Sequence, residues 1–358
     1  MYRGATVIDT HGHMSTPPEF RAYAYNILAL RTASGFGALS IPDARLEQAM
    51  ESHLRALDER DIDVQLLSPR PVAMMHWERP YLVEAWTRTT NDVIAQQCRI
   101  ARGRFVGVAQ LPQNTEHDSA YLLSELTRCV DELGFVAALV NPDPGGDRRT
   151  PGMNDPYWFP LYEFAEDRQI TLIVHPSSSR DPRLDPIPHS YQYNSLTEET
   201  LAMLLFRHSD VFDRFPSLRV VVCHCGGALR RMLEHGPSSG QRMGGSAQMP
   251  VTETGHGAAR DLSRNLFVDT CAYDPVFLRA AIRQYGVERM VFGTEVPGSG
   301  SAVLNVGTNR PSDDLVAVLR SYDFLSDNDR VRILHDNPLT VFPLLAASAP
   351  FATDQATA

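Results

Sequence analysis

Eight short apolar runs, separated by stretches with helical periodicity, constrain the fold of this 358-residue chain more than any other feature. Most of these runs are continuous rather than alternating, which is typical of parallel strands covered on both faces. Strands that alternate with helices eight times predict a closed (β/α)₈ barrel, the TIM barrel, with inserted loops. The predicted strands are 5–9, 64–68, 105–111, 135–140, 171–174, 219–223, 266–269 and 290–293.

The chain shows no internal repeat, low-complexity tract or linker that would divide it. Barrels of this class reach this length as one unit, so we expect a single domain at 1–345. The small and polar residues at 346–358 predict a flexible C-terminal tail. The stretch Thr32–Ser40 predicts an inserted loop, and Asp43 is expected to cap the helix that follows.

Charge and composition restrict the class of partner. The formal net charge is −10, which argues against nucleic acid or an anionic membrane surface. No apolar run approaches the roughly 18 residues that span a bilayer, and the N-terminus lacks a signal pattern, so we expect a cytoplasmic protein. An odd number of scattered cysteines favours reduced thiols over a disulfide framework. These are Cys98, Cys129, Cys223, Cys225 and Cys271.

Residues with catalytic potential follow the predicted strands, at the end where barrel enzymes build their active sites. His11 and His13 are placed just past the first strand. Residues i and i+2 of an extended segment point to the same side, so both imidazoles could bind one metal ion, although such a pair also occurs by chance on surfaces. His175, His224 and Glu295 follow strands five, six and eight. Their convergence on one rim indicates a metal site.

Other polar residues end the remaining strands, with Arg70 after strand two, Asn141 after strand four and Asp269 at strand seven. Most of the other histidines fall in predicted helices or loops, where a solvated or helix-end role is expected. These are His53, His117, His208, His235, His256 and His335. His76 and His189 lie in loops after strands two and five, and either a surface or a site role is open for them.

Four of these segments together resemble the metal-site framework of the amidohydrolase superfamily. They are Asp9–His13, Val174-His175, Val222-Cys223-His224 and Phe292–Glu295. Within the superfamily, the chain resembles the branch of metal-dependent decarboxylases and hydratases typified by aminocarboxymuconate semialdehyde decarboxylase. The resemblance extends over most of the chain.

Two features of the sequence favour the hydratases of this branch. Glu295 stands where the decarboxylases usually carry aspartate, and the His-Gly-His sequence with Thr16-Pro17 nearby is closer to the hydratases. The segments Cys225–Arg231 and Pro297–Ser301 depart from the hydratase pattern. Since both would line the substrate mouth of a barrel, the resemblance leaves the identity of the substrate open.

The resemblance implies a centre in which four side chains bind one divalent metal ion. Zinc is the first expectation, and manganese and iron are alternatives. The implied ligands are His11, His13, His175 and Glu295. Glu295 would also accept a proton from water, and His224 would be a second general acid or base. Asp269 would orient a neighbouring group.

The implied substrate is a small carboxylic acid. Arg70 would pair with a carboxylate through its planar guanidinium, or would form a salt bridge at the barrel rim. Asn141, Ser177 and Tyr193 complete the expected substrate-binding residues. A homo-oligomer, first of all a dimer, is implied as well.

The expected reaction is that of a lyase in aromatic catabolism, which adds water to or removes it from an unsaturated keto-polycarboxylic acid. Non-oxidative decarboxylation of an aromatic or muconate-like acid is the first alternative. A hydrolase of the amidohydrolase type is the second alternative. A barrel that binds no metal and has lost the reaction is disfavoured because all four implied ligands are present.

Overall fold

Eight parallel strands form one sheet in which each strand pairs with its neighbours in chain order. The computed structural model describes residues 1–32, 39–71, 74–114, 116–177, 181–188, 190–228, 264–348 and 351. The strands are β1 (Ile8–His13), β2 (Val64–Ser68), β3 (Phe105–Gln110), β4 (Ala137–Val140), β5 (Thr171–Val174), β6 (Val220–Val222), β7 (Leu266–Asp269) and β8 (Met290–Val291). The predicted (β/α)₈ barrel is confirmed.

Helices surround the sheet, and a short antiparallel pair, β9 (Leu304–Asn305) and β10 (Arg310–Pro311), follows β8. The α-helices in the described part of the chain are α1 (Pro18–Leu30), α2 (Asp43–Glu59), α3 (Pro80–Ile100), α4 (Leu123–Asp131), α5 (Phe159–Asp167), α6 (Ser190–Arg207), α7 (Val211–Arg214), α8 (Pro275–Tyr285), α9 (Leu315–Ser321), α10 (Asp327–Val331), α11 (Asn337–Val341) and α12 (Pro343–Ala346). No helix among these is long and apolar enough to cross a membrane.

Two apolar layers hold the barrel together, one on each face of the sheet. Side chains inside the barrel include Ile8, Leu66, Val108, Leu139, Ile173, Val221 and Phe267. Side chains on the outer face, such as Leu67 and Leu172, pack under the helices. Helices α11 and α12 close the end at which the strands begin, because Val341 and Phe342 join the inner layer and the Val341 carbonyl accepts a hydrogen bond from Thr171. The other end of the barrel remains for the functional site.

The barrel closes between β1 and the end of β8 through backbone hydrogen bonds. The amide and the hydroxyl of Thr10 both donate to the Phe292 carbonyl, each at 2.8 Å. The amide of Glu295 donates to the His11 carbonyl at 2.6 Å. The first and last strands are therefore joined although no regular ladder runs between them.

A buried carboxylate reinforces this closure. Asp9 accepts hydrogen bonds from the amide and hydroxyl of Thr294, at 3.0 and 2.6 Å, and from Nε2 of Gln65 on β2 at 2.7 Å. Its fourth donor is the amide of His11, at 3.1 Å. Burial raises the pKa of Asp9 to about 6, against the lowering effect of the hydrogen bonds from Thr294 and Gln65. Asp9 thus ties β1 and β2 to the segment after β8.

The placement of the first two histidines corrects the sequence prediction, since both lie within β1 rather than past its end. The pairing of β1 with β2 shifts between Asp9 and Gly12, and it resumes with Gly12 opposite Leu67 and His13 opposite Ser68. A Cβ atom on Gly12 would lie 2.0 Å from the Gln65 side chain, so only glycine fits at this irregularity. The strand therefore ends at His13 rather than at the predicted Asp9, and it begins at Ile8 rather than at Ala5.

Two other expectations are corrected. Asp43 does not cap α2, because Pro42 occupies the N-cap position and the Asp43 carboxylate instead accepts from Arg99 at 2.8 Å. His53 is buried rather than solvated, with its Nε2 2.7 Å from Gln65 Oε1. The flexible tail at 346–358 stays a prediction, and within it Ala346 ends α12 and Phe351 packs against the inner layer.

Some expectations fall outside the described residues. They concern 33–38 of the predicted inserted loop, residues 352–358 of the tail, and His189, His235 and His256. The assignment of 1–345 to one domain stays a prediction.

We expect Asp9→Asn to lower the free energy of unfolding by at least about 2 kcal/mol. An amide removes a buried acceptor from Thr294 or Gln65, and a buried donor without a partner costs roughly 1–3 kcal/mol. Chemical denaturation of the metal-free protein measures the change. The control is Asp92→Asn, which removes an exposed ion pair with Arg128 and should cost less than about 1 kcal/mol. Equal losses in the two variants would contradict the assigned role of Asp9.

Candidate metal centre

Three buried imidazoles face one another at the end of the barrel where the strands finish. The Nε2 atoms of His11, His13 and His175 are buried and lack a hydrogen-bond partner. These atoms and a carboxylate oxygen of Glu295 all lie within 4.8 Å of one another. Buried polar atoms nearly always have a partner, so three orphaned nitrogens at one point indicate a missing ligand.

Asp269 at the end of β7 orients the first of these rings. Its Oδ2 lies 2.7 Å from Nδ1 of His11, while its Oδ1 accepts from the amides of Cys225 and Cys271 at 3.1 and 3.0 Å. An ionised carboxylate can only accept, so Nδ1 of His11 carries the proton and Nε2 presents its lone pair. The sequence predicted an orienting role for Asp269 without identifying its partner.

The other two rings are oriented by neutral acceptors. Nδ1 of His13 lies 2.8 Å from Ser68 Oγ, which itself donates to the Gly12 carbonyl. Nδ1 of His175 lies 2.7 Å from the Pro176 carbonyl. Burial, together with the neighbouring His11, lowers the pKa of His175 to about 3. The pKa of His13 is lowered in the same way, so both rings are neutral.

Glu295 reaches the centre from an unusual backbone conformation. Its φ angle is +62°, in the left-handed region, where its amide donates to the His11 carbonyl. Its Oε2 accepts a hydrogen bond of 2.7 Å from the hydroxyl of Tyr273. Its Oε1 lies 3.9 Å from His13 Nε2 and 3.7 Å from His224 Nε2. The two carboxylate oxygens therefore have different surroundings.

These side chains fit a divalent metal ion. Three imidazole nitrogens and one carboxylate oxygen form a ligand set that zinc, manganese and iron all use. Each imidazole has the tautomer that ligation requires, because its Nδ1 is already bonded to an acceptor. The structure thus brings together all four of the predicted ligands.

His224 lies beside this ligand set in a left-handed turn after β6. The φ angles of His224 and Cys225 are +50° and +55°. Nδ1 of His224 lies 2.6 Å from Oε1 of Glu199, a fully buried residue of α6. Burial raises the pKa of Glu199 to about 7, against the opposing charge of His224. Against the effect of burial, the charge of Glu199 holds the pKa of His224 well above its usual value, and Nε2 of His224 faces the centre.

A cavity of about 870 Å³ opens above the centre. Its walls include Arg70, Ser177, His224, Tyr273, Phe277 and Glu295. Nε of Arg70 donates to the Met14 carbonyl at 3.0 Å, and no carboxylate of the described residues lies within 4.0 Å of its guanidinium. Ser177 has a buried hydroxyl without a partner. Both side chains therefore have hydrogen-bonding capacity left for a ligand.

Two of the predicted substrate-binding residues do not reach the described cavity wall. Asn141 is buried behind β5, where its Nδ2 donates to the His175 carbonyl and supports that ligand from outside the cavity. The side chain of Tyr193 is 50% exposed on α6 and is absent from the lining. Neither position favours direct contact with a substrate.

Sequence reasoning missed Glu199 and Tyr273, and it assigned no partner to Ser68. Glu199 follows another glutamate, Glu198, in a helix, and helical periodicity alone does not say which of the two faces the barrel. Tyr273 lies two residues past Cys271 in a loop of unpredicted direction. Ser68 offered a signal, since it ends β2 and thus belongs to the catalytic rim.

Comparison with known proteins identifies the family. Residues 8–344 match the profile of the amidohydrolase family. The chain is also 30% identical to a 2-keto-4-carboxy-3-hexenedioate hydratase of Sphingobium sp., over 95% of this chain and 97% of that protein. The chain belongs to the amidohydrolase family. The predicted resemblance is confirmed.

Solved structures agree with this assignment. The crystal structure of 4-oxalomesaconate hydratase from Rhodopseudomonas palustris matches with a TM-score of 0.79 and 25% identity, over 96% of this chain and 97% of that chain. A dihydroxybenzoic acid decarboxylase from Polaromonas sp. with bound manganese matches with a TM-score of 0.68 and 21% identity, over 98% and 99% of the two chains. The second match supports the fold alone.

We expect His11→Ala and His175→Ala each to retain less than one equivalent of metal after purification, because each variant loses one of four donors and so binds the ion more weakly. Metal analysis of protein purified from metal-supplemented medium measures this. His117→Ala is the control, since its ring stacks on Tyr121 away from the centre. A full equivalent of metal in either variant would contradict the assigned ligand set.

Proposed function

We propose that this protein is a metal-dependent hydro-lyase that adds water to, or removes it from, an unsaturated keto-polycarboxylic acid in aromatic catabolism. The observation that carries the proposal is the position of Glu295. One of its oxygens lies between His13 and His224, so a carboxylate and an imidazole stand 3.7 Å apart at the floor of one cavity. Hydration needs two such groups, one to accept a proton and one to donate a proton. The relationship to a hydratase over nearly the whole chain supports it.

The proposed cofactor is one divalent metal ion held by His11, His13, His175 and Glu295, with zinc as the first candidate. Such an ion, when bound, supplies Lewis acidity to oxygen atoms at the centre. The protein contributes the orientation of its ligands, because Asp269, Ser68 and the Pro176 carbonyl each fix one imidazole.

Glu295 is proposed as the general base. Tyr273 occupies Oε2, so Oε1 is the oxygen that accepts a proton from the attacking water. The hydroxide that remains of the water then bonds to one carbon of the substrate double bond. In the direction of water loss, the same oxygen returns the proton.

His224 is proposed as the group that protonates the neighbouring carbon. Its Nε2 faces the cavity, while Glu199 accepts the hydrogen bond from Nδ1. The carboxylate fixes the ring and stabilises the imidazolium that holds the proton before transfer. The water supplies the hydroxyl group, and His224 supplies the proton on the neighbouring carbon. The proton that Oε1 of Glu295 took from water then passes to Nε2 of His224, 3.7 Å away, and restores both groups.

Arg70 and Ser177 are proposed to bind the carboxylate groups of the substrate. The guanidinium lines the cavity and keeps its terminal nitrogens free of any acidic partner in the described residues, which suits a bidentate contact. The cytoplasmic location and the homodimer are proposals from the sequence, and light scattering of the purified protein tests the second.

The alternative reaction is non-oxidative decarboxylation of an aromatic or muconate-like acid. Sequence similarity to a gamma-resorcylate decarboxylase of Rhodococcus jostii, with 28% identity over 84% of this chain, favours it. In this reaction His224 would protonate the carbon that loses carbon dioxide, and Glu295 would serve only as a ligand.

An assay against a panel of unsaturated and aromatic carboxylic acids tests the proposal. We expect loss of conjugated absorbance without release of carbon dioxide, and a hydrated product one water heavier by mass spectrometry. Release of carbon dioxide in step with the loss of absorbance would replace the hydratase assignment by the decarboxylase assignment.

We expect Arg70→Lys to raise KM by about tenfold or more with a smaller effect on kcat. Lysine keeps the charge but replaces a two-point contact with a carboxylate by a single point. Steady-state kinetics on the best substrate measures the change. An unchanged KM combined with a lower melting temperature would assign Arg70 to structure instead.

We expect Glu199→Gln to lower kcat by roughly 10²-fold, at the lower end of the contribution of a positioned acid or base. The amide no longer stabilises the imidazolium of His224. Stopped assays at saturating substrate measure kcat, and metal content should stay at the wild-type level. Glu125→Gln is the matched control, since it neutralises another buried glutamate, one that pairs with Arg128 far from the cavity. The role fails if both variants keep wild-type kcat.

A further inference from the structure

We propose that Tyr273 is a positioning residue that holds the Glu295 side chain in the rotamer that serves the reaction. The loop after β8, residues 297–301, in turn fixes the position of the Tyr273 ring. This inference rests on the proposed function for its catalytic consequence. The hydroxyl of Tyr273 lies 2.7 Å from Oε2 of Glu295 and 3.3 Å from the Thr294 carbonyl. A phenol has one proton to donate, and the shorter distance assigns that proton to the carboxylate.

Glu295 needs external support more than an aspartate would. Its side chain has one more rotatable bond than aspartate, and holding it in one rotamer costs conformational entropy. The hydrogen bond from the Tyr273 hydroxyl fixes the position of Oε2. The other oxygen, Oε1, is then directed between His13 and His224, at 3.9 and 3.7 Å. The Tyr273 hydroxyl thus gives the two carboxylate oxygens different roles. Oε2 accepts its hydrogen bond, and Oε1 is left to act at the centre.

The ring of Tyr273 is held by a glycine. A Cβ atom on Gly300 would lie 2.6 Å from both Cε1 and Cζ of the ring, so any side chain there would displace the phenol. Gly298 makes a similar approach to Glu295, because a Cβ atom at this position would lie 2.4 Å from the Glu295 carbonyl oxygen. The loop after β8 therefore touches both members of the pair.

The loop itself is anchored to the barrel wall. The hydroxyl of Ser301 donates to Oδ2 of Asp313, and Oδ1 of Asp313 accepts from Nε of Arg60 at 2.7 Å. Both members of this ion pair are buried, with 4% of the Arg60 side chain exposed and none of the Asp313 side chain. A buried pair of this kind fixes geometry, because breaking it leaves an uncompensated charge. The loop that contacts Tyr273 is thus connected, through Asp313 and Arg60, to the C-terminal end of α2.

The primary test is Tyr273→Phe, which keeps the ring against Gly300 and removes only the hydroxyl. We expect the affinity for Zn²⁺ to fall by about 10- to 100-fold, the usual effect of losing a partner of a metal ligand. Competition with a chromophoric chelator measures it. With saturating Zn²⁺, kcat should fall at least about tenfold while KM stays within about twofold, because the substrate carboxylates are bound by other groups.

A double-mutant cycle separates positioning from general stability. In the Glu295→Ala background, Tyr273→Phe should change Zn²⁺ affinity by less than about twofold, because the hydroxyl has lost the carboxylate it acts on. Tyr162→Phe is the matched control, since it removes another buried phenol bond, to the Met153 carbonyl, away from the centre. Equal losses of Zn²⁺ affinity in the wild-type and Glu295→Ala backgrounds would overturn the proposal, and so would wild-type affinity and kcat in Tyr273→Phe.

Gly300→Ala gives an independent readout should Tyr273→Phe not fold. This variant keeps the hydroxyl but displaces the Tyr273 ring, so it should also weaken Zn²⁺ binding. Unchanged Zn²⁺ binding would contradict the proposal that the loop positions the ring. The Zn²⁺ measurements require no substrate, so they also distinguish the two hypotheses. A Glu295-dependent loss of affinity in a protein inactive on every acid supports the positioning role and rejects the hydro-lyase. Hydration activity with no effect of Tyr273→Phe does the reverse.

Discussion

The buried carboxylate of Asp9 is the point at which the fold and the metal centre depend on each other. Parallel barrels must join their first and last strands, and here those strands meet in a short, irregular contact. Asp9 compensates with four hydrogen bonds, of which two come from Thr294 and one from the amide of His11. Since Thr294 precedes Glu295, the interaction that closes the barrel also sets the spacing between His11 and Glu295.

The three imidazoles are oriented by acceptors of different strength. His11 faces an ionised carboxylate, whereas His13 faces a hydroxyl and His175 a backbone carbonyl. A charged acceptor makes the opposite ring nitrogen a stronger donor than a neutral acceptor does. The three Nε2 atoms therefore differ in basicity, and Nε2 of His11 is the most basic. His11 is also the nearest of the three to the contact that closes the barrel. Glu295, His224 and Cys225 lie on the same rim in the left-handed backbone region, which costs energy for residues other than glycine.

Much of the fold and of the ligand set could be predicted from the sequence, because both follow from strand periodicity. Continuous apolar runs identified the strands, and the rule that parallel strands finish at one rim brought His175, His224 and Glu295 together. The irregular pairing of β1 and β2 was missed, since it depends on Gly12 and Gln65 meeting across strands. Glu199 and Tyr273 were also missed, because each acts from a helix or a loop whose direction is decided by packing rather than by periodicity. His53 was misplaced for a similar reason, as its partner Gln65 is itself buried in the barrel.

The closure of the barrel by its C-terminal helices has a consequence for the order of folding. Val341 and Phe342 complete the inner apolar layer, His335 bonds to the Thr6 carbonyl, and Ile333 accepts from the amide of Phe292. His335 and Thr6 are separated by most of the chain, and such long-range contacts form late because loop closure costs entropy first. On the ribosome, His11 emerges before Glu295 and the closing helices, so the site around His11 forms only after they have emerged. The nascent chain is therefore expected to expose an incomplete, histidine-rich rim until the closing helices have emerged.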